Sequence, residues 1–464
     1  MKVMKFGGSS VADADRIRSV VSIVSRQQTE ETALVLSAMK GVTDLLITAA
    51  TKAAVGDKSY REEYERIVSK HRETVNELLS ESDELGPESE RVEGLLEELG
   101  DLLHGVELVQ ECSPRTLDVI VSFGERLNCG VVAAYMRSQG EPARMVDARE
   151  LILTDNTHGS AVVEFGRSYE LIEERFATLN GEIPVVTGFI ASTSDGVTTT
   201  LGRNGSDYTA SLVGAAIRAE AVEIWTDVDG VLSADPRVVP EAFVVPEISI
   251  QEAMELSYFG AEVIHPFTMV PAIERGVPLW IKNTLNPDVR GTRISDSPPA
   301  SDRPITGVAS IENVALINVE GGGMMGIPGM ASRVFAAMAH AGVNIIMISQ
   351  ASSEHSICLV VRENEVERAL RGLRRELEYE LQRRQIDDFV HIPGLEIIAV
   401  IGANMRGTPG ISGRLFSALG DEGINILAIA QGSSEMNISF VVQSTERAHT
   451  LRTVHRAFFA EAER

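Results

Sequence analysis

The chain opens on a short apolar run, Lys2 to Phe6, and runs of similar length and β-forming content recur at 33–37, 117–122, 144–147, 183–187, 222–225 and 278–281. Between them, apolar residues return with the period of an amphipathic helix at 11–26, 43–54, 124–138 and 207–218. Strands alternating with helices predict an α/β domain built on a mostly parallel sheet, spanning residues 1–300. Residues 57–110 break the alternation: they are polar, rich in glutamate and helical in period, and predict a helical lobe inserted beside the sheet.

The last third has a different pattern. Residues 325–361 laid on 406–442, an offset of 81, are identical at 17 of 37 positions. The shared skeleton includes Arg333 and Arg414, Phe335 and Phe416, Gly342 and Gly423, Asn344-Ile345 and Asn425-Ile426, Gln350 and Gln431, and Ser352-Ser353-Glu354 with Ser433-Ser434-Glu435. Each copy predicts a β-rich start (314–319 and 395–401), a helix opened near Pro328 or Pro409 and stopped at Gly342 or Gly423, two strands and a polar helix. That βαββα order needs one more strand to close, and the residues after the second copy are too short and polar to supply it. Two intertwined α+β modules, 308–390 and 394–464, are expected, reached through a Pro- and Ser-rich linker at 295–302. Gly321-Gly322-Gly323 falls at the first turn of the first copy and is expected to be a flexible effector loop rather than a phosphate loop.

Composition narrows the function. Net charge is −25, and only seven of the 42 basic residues are lysines, so the surface repels nucleic acid and anionic lipid. The acid excess is spread along the chain, as on a surface adapted to high salt. No apolar stretch reaches membrane length and the start lacks the pattern of a signal peptide, so the expected place is the cytoplasm. Cys112, Cys129 and Cys358 have neither disulfide nor zinc spacing, and His265-Pro266 has no partner at metal-ligand spacing.

Three clusters carry candidate chemistry. Lys5-Phe6-Gly7-Gly8-Ser9-Ser10 ends a strand and runs into a helix, where glycines let backbone N–H groups approach a phosphate and Lys5 adds a mobile charge. It is not a Walker loop. Leu201-Gly202-Arg203-Asn204-Gly205-Ser206-Asp207-Tyr208 pairs a guanidinium suited to a carboxylate with an acid at a helix start, able to orient a lysine or to cap the helix. Trp225-Thr226-Asp227-Val228-Asp229-Gly230 ends an apolar strand, where open α/β sheets bear ligands, and lacks the spacing of a calcium loop.

Together with Ser122-Phe123-Gly124-Glu125 and Phe259-Gly260-Ala261, these clusters resemble, in order and over the whole chain, the aspartate kinases of the amino acid kinase superfamily. The repeat resembles tandem ACT modules, with Asn-Ile and Gln-x-Ser-Ser-Glu signatures similar to those of the threonine-sensitive branch; no dehydrogenase part is expected within 464 residues. The resemblance implies phosphorylation of the side-chain carboxylate of L-aspartate by ATP, the first step toward lysine, threonine and methionine. It implies Lys5 and Asp207 as the catalytic pair, and Lys5, Gly7, Gly8, Ser9, Thr226, Asp227 and Arg237 around ATP. Ser37, Thr43, Glu125, Arg203 and Ser206 would bind aspartate, with Glu125 receiving its ammonium. Mg2+ would be held mainly through ATP phosphates, with no protein metal site. Asn344, Gln350, Asn425 and Gln431 would bind the effector, threonine, and the ACT modules would join two or four chains. Leu232 and Glu262 depart from the family pattern of Tyr and Lys on the nucleotide side. A kinase for glutamate, N-acetylglutamate or a nucleotide, or an amino acid sensor without activity, are the alternatives.

Overall fold

The computed structural model describes residues 1–26, 31–260, 266–296, 298, 303–324, 329–350, 356–387 and 389–460, with the backbone alone at Pro266 and Phe267. Glu262, His265, Ser352-Ser353-Glu354 and residues 299–302 of the expected linker lie outside them. Two compact units result. The first holds Met1–Val231, Pro246–Ile250 and Val263–Pro298; the second holds Leu232–Val245, Gln251–Glu262 and Pro299–Arg464. Two segments before residue 300 thus belong with the repeat: Ala234 and Val239 of the first bury their side chains in its apolar core, and Glu255 of the second accepts from Asn437 Nδ2 at 2.7 Å.

The chain begins β1 (Lys2–Phe6), α1 (Ala14–Ser25), β2 (Thr32–Leu36), α2 (Val42–Ala54), α3 (Tyr60–Leu79), α4 (Leu85–Val109), α5 (Pro114–Ser138) and β3 (Ala143–Val146). It continues α6 (Phe165–Ala177), β4 (Ile183–Thr187), β5 (Ile190–Ser192), β6 (Thr198–Thr200), α7 (Gly205–Ala216), β7 (Val222–Thr226), β8 (Glu247–Ser249), α8 (Ile250–Tyr258), α9 (Pro266–Glu274), β9 (Leu279–Asn283) and β10 (Thr292–Ser295). Eight strands form one sheet in the order β3-β4-β2-β1-β7-β9-β10-β8. All neighbours run parallel except β9 and β10. β1 lies between β2 and β7, so the chain leaves it to one side and later returns on the other; such a reversal opens a crevice at the strands' C-terminal ends. Helices α3 and α4 form the predicted helical lobe and bury Ile67, Val75, Leu96, Leu99 and Leu103 in the core shared with α2 and α5.

One expected strand is a helix. Residues 117–122, apolar and β-branched, lie inside α5. Ser113 caps that helix by accepting from the N–H of Thr116 at 3.2 Å, Pro114 takes its first turn, and both faces of Ile120 to Asn128 are buried. Capping and burial override the local β preference of Val119, Ile120 and Val121.

The second unit carries β11 (Gly307–Glu320), α10 (Met330–His340), β12 (Met347–Gln350), β13 (Ser356–Arg362), α11 (Val366–Glu376), α12 (Glu378–Gln382), β14 (Phe389–Ile401), α13 (Ile411–Asp421), β15 (Ala428–Gln431), β16 (Asn437–Gln443) and α14 (Arg447–Phe459). Its six strands are ordered β12-β13-β11-β14-β16-β15. Each long strand breaks at a positive-φ residue, Asn313 in β11 and Gly394 in β14, which the offset of 81 makes equivalent. After the break, Val314–Glu320 pairs with β13 of the first copy and Leu395–Ile401 with β16 of the second. Before it, Gly307–Ile311 pairs with Ile397–Ile401, and Phe389–Ile392 with Leu316–Val319. The fourth strand of the second copy therefore precedes the first copy in sequence, and each copy borrows its closing strand from the chain that flanks the other.

Alternation on these strands serves two cores at once. Ala315, Ile317, Val319, Leu359 and Val361 pack with α10 and α11, while Ile398, Val400, Ile438, Phe440 and Val442 pack with α13 and α14. The opposite positions Val314, Leu316, Val360, Leu395, Ile397 and Val441 are buried as well. The edge strands approach each other, Ser349 Oγ donating to the carbonyl of Ile429 at 3.0 Å, so the sheet curls over its own second face. Helices α10 and α13 start at Met330 and Ile411, just past the glycines Gly329 and Gly410, and Gly342 and Gly423 follow their ends with positive φ. The Gly321 to Gly323 turn is explained by close packing instead of the expected flexibility: side chains at Gly321 and Gly323 would come within 2.2 and 2.6 Å of the 385–386 backbone.

Candidate active site

The crevice at the C-terminal ends of β1, β2, β4 and β7 gathers most of the residues singled out above. Lys5 projects from β1 so that Nζ lies 2.6 Å from Asp207 Oδ1, with side chains only 11% and 9% exposed. Asp207 sits in the first turn of α7, whose N-cap is Asn204 with left-handed φ of 57° and no side-chain cap bond. Asp207 is thus free of capping and turned to the lysine. Local backbone geometry permits this: a side chain at Gly205 would come within 2.8 Å of Phe189, and one at Gly188, just after β4, within 2.6 Å of Ser206.

The turns after β1 and β2 pack on each other. Ser37 N donates to the Phe6 carbonyl at 3.2 Å and Lys40 N to that of Gly8 at 3.1 Å. A side chain at Gly8 would meet the Ala38 carbonyl at 2.9 Å, so only glycine fits there. Helix α5 holds the pair from behind. Glu125 Oε1 accepts from Ala38 N at 3.1 Å, and Asn128 Nδ2 donates to the Ser37 carbonyl at 2.7 Å. Glu125 is buried and its Oε2 has no hydrogen-bond partner among the described residues. Burial raises its carboxyl to about 8, against hydrogen bonds that pull the other way. A buried acid with an unused oxygen is suited to receive a cation.

On the other side, Thr226 is half-buried and Asp227 exposed at the end of β7. Thr284 N donates to the Thr226 carbonyl at 2.8 Å, and Ser10 Oγ lies 2.8 Å from Thr284 Oγ1, which ties the glycine turn to β7 and β9. Asp229 accepts from Asn283 Nδ2 at 2.7 Å and is occupied structurally. Ser9, Ser37 and Thr43 are half-buried, Ser206 is buried, and Arg203 is exposed on the turn before α7.

Arg237 is not brought into this set by the first unit's fold. It belongs to the second unit, where Nε and Nη2 pair with both Asp235 oxygens at 3.0 and 2.9 Å. Leu232, also in the second unit, pairs with Val244 in an isolated bridge. The four effector candidates are likewise there: Gln350 and Gln431 end the two edge strands, and Asn344 and Asn425 follow the helix-ending glycines, all four exposed.

Asn128, Asp118, His158 and Thr200 were missed from sequence. Asp118 and Glu125 lie seven residues apart, on one face of α5, a signal hidden once 117–122 is read as a strand.

Chemically, the edge sets a paired ammonium and glycine amides beside a second cation, Arg203, and a buried acid. That arrangement can bring a phosphate and a carboxylate together and neutralise both.

Residues 1–283 match the Amino acid kinase family, and 317–377 and 398–458 match the ACT domain. The chain is 39% identical to "Bifunctional aspartokinase/homoserine dehydrogenase 2, chloroplastic" of Arabidopsis thaliana, over 98% of its own length and 50% of that protein's. It thus spans about half the length of such curated relatives. The structure of E. coli aspartokinase III in complex with lysine and aspartate superposes with a TM-score of 0.81, at 30% identity and 99% coverage of both chains. The same protein in complex with aspartate and ADP gives 0.79 at 29% identity, covering 99% of this chain and 100% of that one. No described helix is long and apolar enough to cross a membrane.

Proposed function

This chain belongs to the amino acid kinase family, among its aspartokinases, and on that footing we propose that it transfers the γ-phosphoryl group of ATP to the side-chain carboxylate of L-aspartate, giving ADP and 4-phospho-L-aspartate. The observation that carries the reading is the Lys5–Asp207 pair, set where the glycine turn after β1 meets the start of α7. The attacking carboxylate is already ionised at neutral pH, so the step needs no general base. Its cost is electrostatic and geometric: two anions must be held in line.

Lys5 bridges the oxygens of the transferring phosphoryl group, and Asp207 fixes the ammonium. Gly7, Gly8 and Ser9 donate to ATP phosphates, with Thr226 and Asp227 on the nucleotide side. Arg203 clamps an aspartate carboxylate, Ser37, Thr43 and Ser206 add donors, and the unused oxygen of Glu125 takes the ammonium. Mg2+ would be held mainly through the ATP phosphates, whose charge it would offset, and the exposed carboxylate of Asp227 would be an oxygen donor of the kind it accepts.

The two ACT copies bind an amino acid effector, threonine in this reading, through Asn344, Gln350, Asn425 and Gln431, and join chains into a dimer or tetramer. The equivalent placement of the two glutamines at the ends of neighbouring edge strands supports it. We place the enzyme in the cytoplasm, early in the route to lysine, threonine and methionine. ATP-dependent hydroxamate formation tests the function: L-aspartate supports it, L-glutamate does not, and threonine lowers it where lysine and methionine do not. Equal rates with glutamate would overturn the acceptor, and no rate with either would overturn the activity.

A further inference from the structure

Helix α5 buries a second acid near the crevice besides Glu125. Asp118, on α5 two turns before Glu125, is 2% exposed and receives hydrogen bonds from two segments that are distant in sequence. Thr200 Oγ1 donates to Oδ1 at 2.7 Å. The backbone N–H of Gly159 donates to both oxygens, at 3.2 and 3.1 Å, and Nδ1 of His158 to Oδ2 at 2.7 Å. A carboxylate is the one side chain of this size that offers acceptors only, and here every group facing it is a donor.

Both segments converge on the same turn. Thr200 ends β6, and two residues separate it from Arg203. The 158–160 turn lies against Gly202 from the other side: a side chain there would come within 3.3 Å of the Gly159 carbonyl and of Ser160. Ala161 N closes the arrangement by donating to the Thr200 carbonyl at 2.9 Å. Gly202 itself has a positive φ of 76°, so the turn adopts a backbone that other residues rarely take and is held from outside by these contacts. Arg203 is a long side chain on an exposed turn, and its reach into the crevice depends on where that turn is fixed.

We propose that Asp118 is the positioning residue for Arg203, fixing the Gly202–Arg203 turn through Thr200 on one side and through His158 and Gly159 on the other. The inference rests on Arg203 acting as the clamp on the aspartate carboxylate. Helix α5 then serves the amino acid twice: Glu125 meets its ammonium, and Asp118, seven residues earlier on the same face, sets the guanidinium that meets a carboxylate. The ATP side of the crevice is built on β1, β7 and β9, whereas the groups that hydrogen-bond to Asp118 among the described residues, on Thr200, His158 and Gly159, lie on none of these strands, so the effect is confined to one substrate.

The test is a comparison of steady-state kinetics for Asp118→Asn, Thr200→Val, Thr200→Ser and Arg203→Ala with the full chain. Asp118→Asn sets an amide donor against groups that are themselves donors, and Thr200→Val removes one hydroxyl with little change of shape. Both are expected to raise the aspartate KM by about tenfold, the loss of a charge-assisted hydrogen bond, with ATP KM and kcat within about threefold of wild type. Thr200→Ser restores the aspartate KM. Combined with Arg203→Ala, Asp118→Asn adds nothing further, since both act through one guanidinium. An equal rise in both KM values, additive effects with Arg203→Ala, or a wild-type aspartate KM in Thr200→Val would overturn the inference, the last even if Asp118→Asn fails to fold. If Arg203→Ala leaves aspartate KM unchanged, the clamp reading falls and the inference with it; if Arg203→Ala raises it while Asp118→Asn and Thr200→Val do not, the inference alone falls.

Discussion

Glu125 Oε1 accepts the backbone N–H of Ala38 at 3.1 Å, while Oε2 of the same carboxylate is buried without a partner among the described residues. One oxygen thus fixes the turn after β2 and the other stays available to a ligand.

A pH dependence follows. Burial holds the Glu125 carboxyl at about 8, against 4.5 for an ordinary glutamate, so between those values the folded chain keeps a proton that the unfolded chain has released. The stability this group contributes is complete below the lower value and is lost as pH rises through the higher one. The melting temperature of the ligand-free protein should therefore fall across that window, and fall less steeply in Glu125→Gln. An ammonium ligand needs the ionised form, so aspartate KM should improve as pH approaches 8 in the wild type and stay flat and high in Glu125→Gln. A variant with the same pH profile as wild type would contradict the assignment.

Gln350 and Gln431 end β12 and β15, and each offers a donor and an acceptor to an amino acid effector. Inhibition requires threonine to bind one arrangement of the chains more tightly than the other. Gln350→Ala and Gln431→Ala should each weaken threonine inhibition by the value of a hydrogen bond, about 0.5 to 1.5 kcal/mol, with aspartate kinetics intact. Unchanged half-inhibition in both would leave the repeat as a dimerisation device.

The surface charge makes a separate prediction. With a net charge of −25, repulsion should weaken the fold at low ionic strength and ease as the screening length shrinks. That length falls from about 30 Å at about 0.01 M salt to about 3 Å at about 1 M. Differential scanning calorimetry should show the melting temperature rising over that range; a flat or falling value would oppose it.

Much of this was legible in the chain. The pattern of apolar residues located β1, β2, β4, β7 and the helices α1, α2 and α7, because the strands are short apolar runs buried nearly throughout, α1 and α2 bury one regular face, and α7 is buried almost all round. The offset of 81 exposed the duplicated module, and the count of its strands pointed to a missing one. What stayed hidden depends on distant contacts. The stretch 117–122 is β-rich in isolation and becomes helical through the Ser113 cap and burial of the faces around it. Its misreading concealed Asp118, whose partners Thr200 and His158 are 82 and 40 residues away. The assignment of Leu232–Val245 to the second unit is likewise nonlocal: Ser233 Oγ lies 3.0 Å from His455 Nε2, and Asp235 meets Arg447 at 3.3 Å.

Single-turnover kinetics of Lys5→Ala and Asp207→Asn with saturating ATP and aspartate tests the pairing of Lys5 with Asp207 most directly. An ammonium that acts on the transferring phosphoryl group lowers the barrier and barely touches the ground state. Both variants should lose turnover by about two orders of magnitude or more with aspartate KM near wild type, and the double variant should be little worse than either alone. Near wild-type turnover in Lys5→Ala, with only the aspartate KM raised, would contradict it.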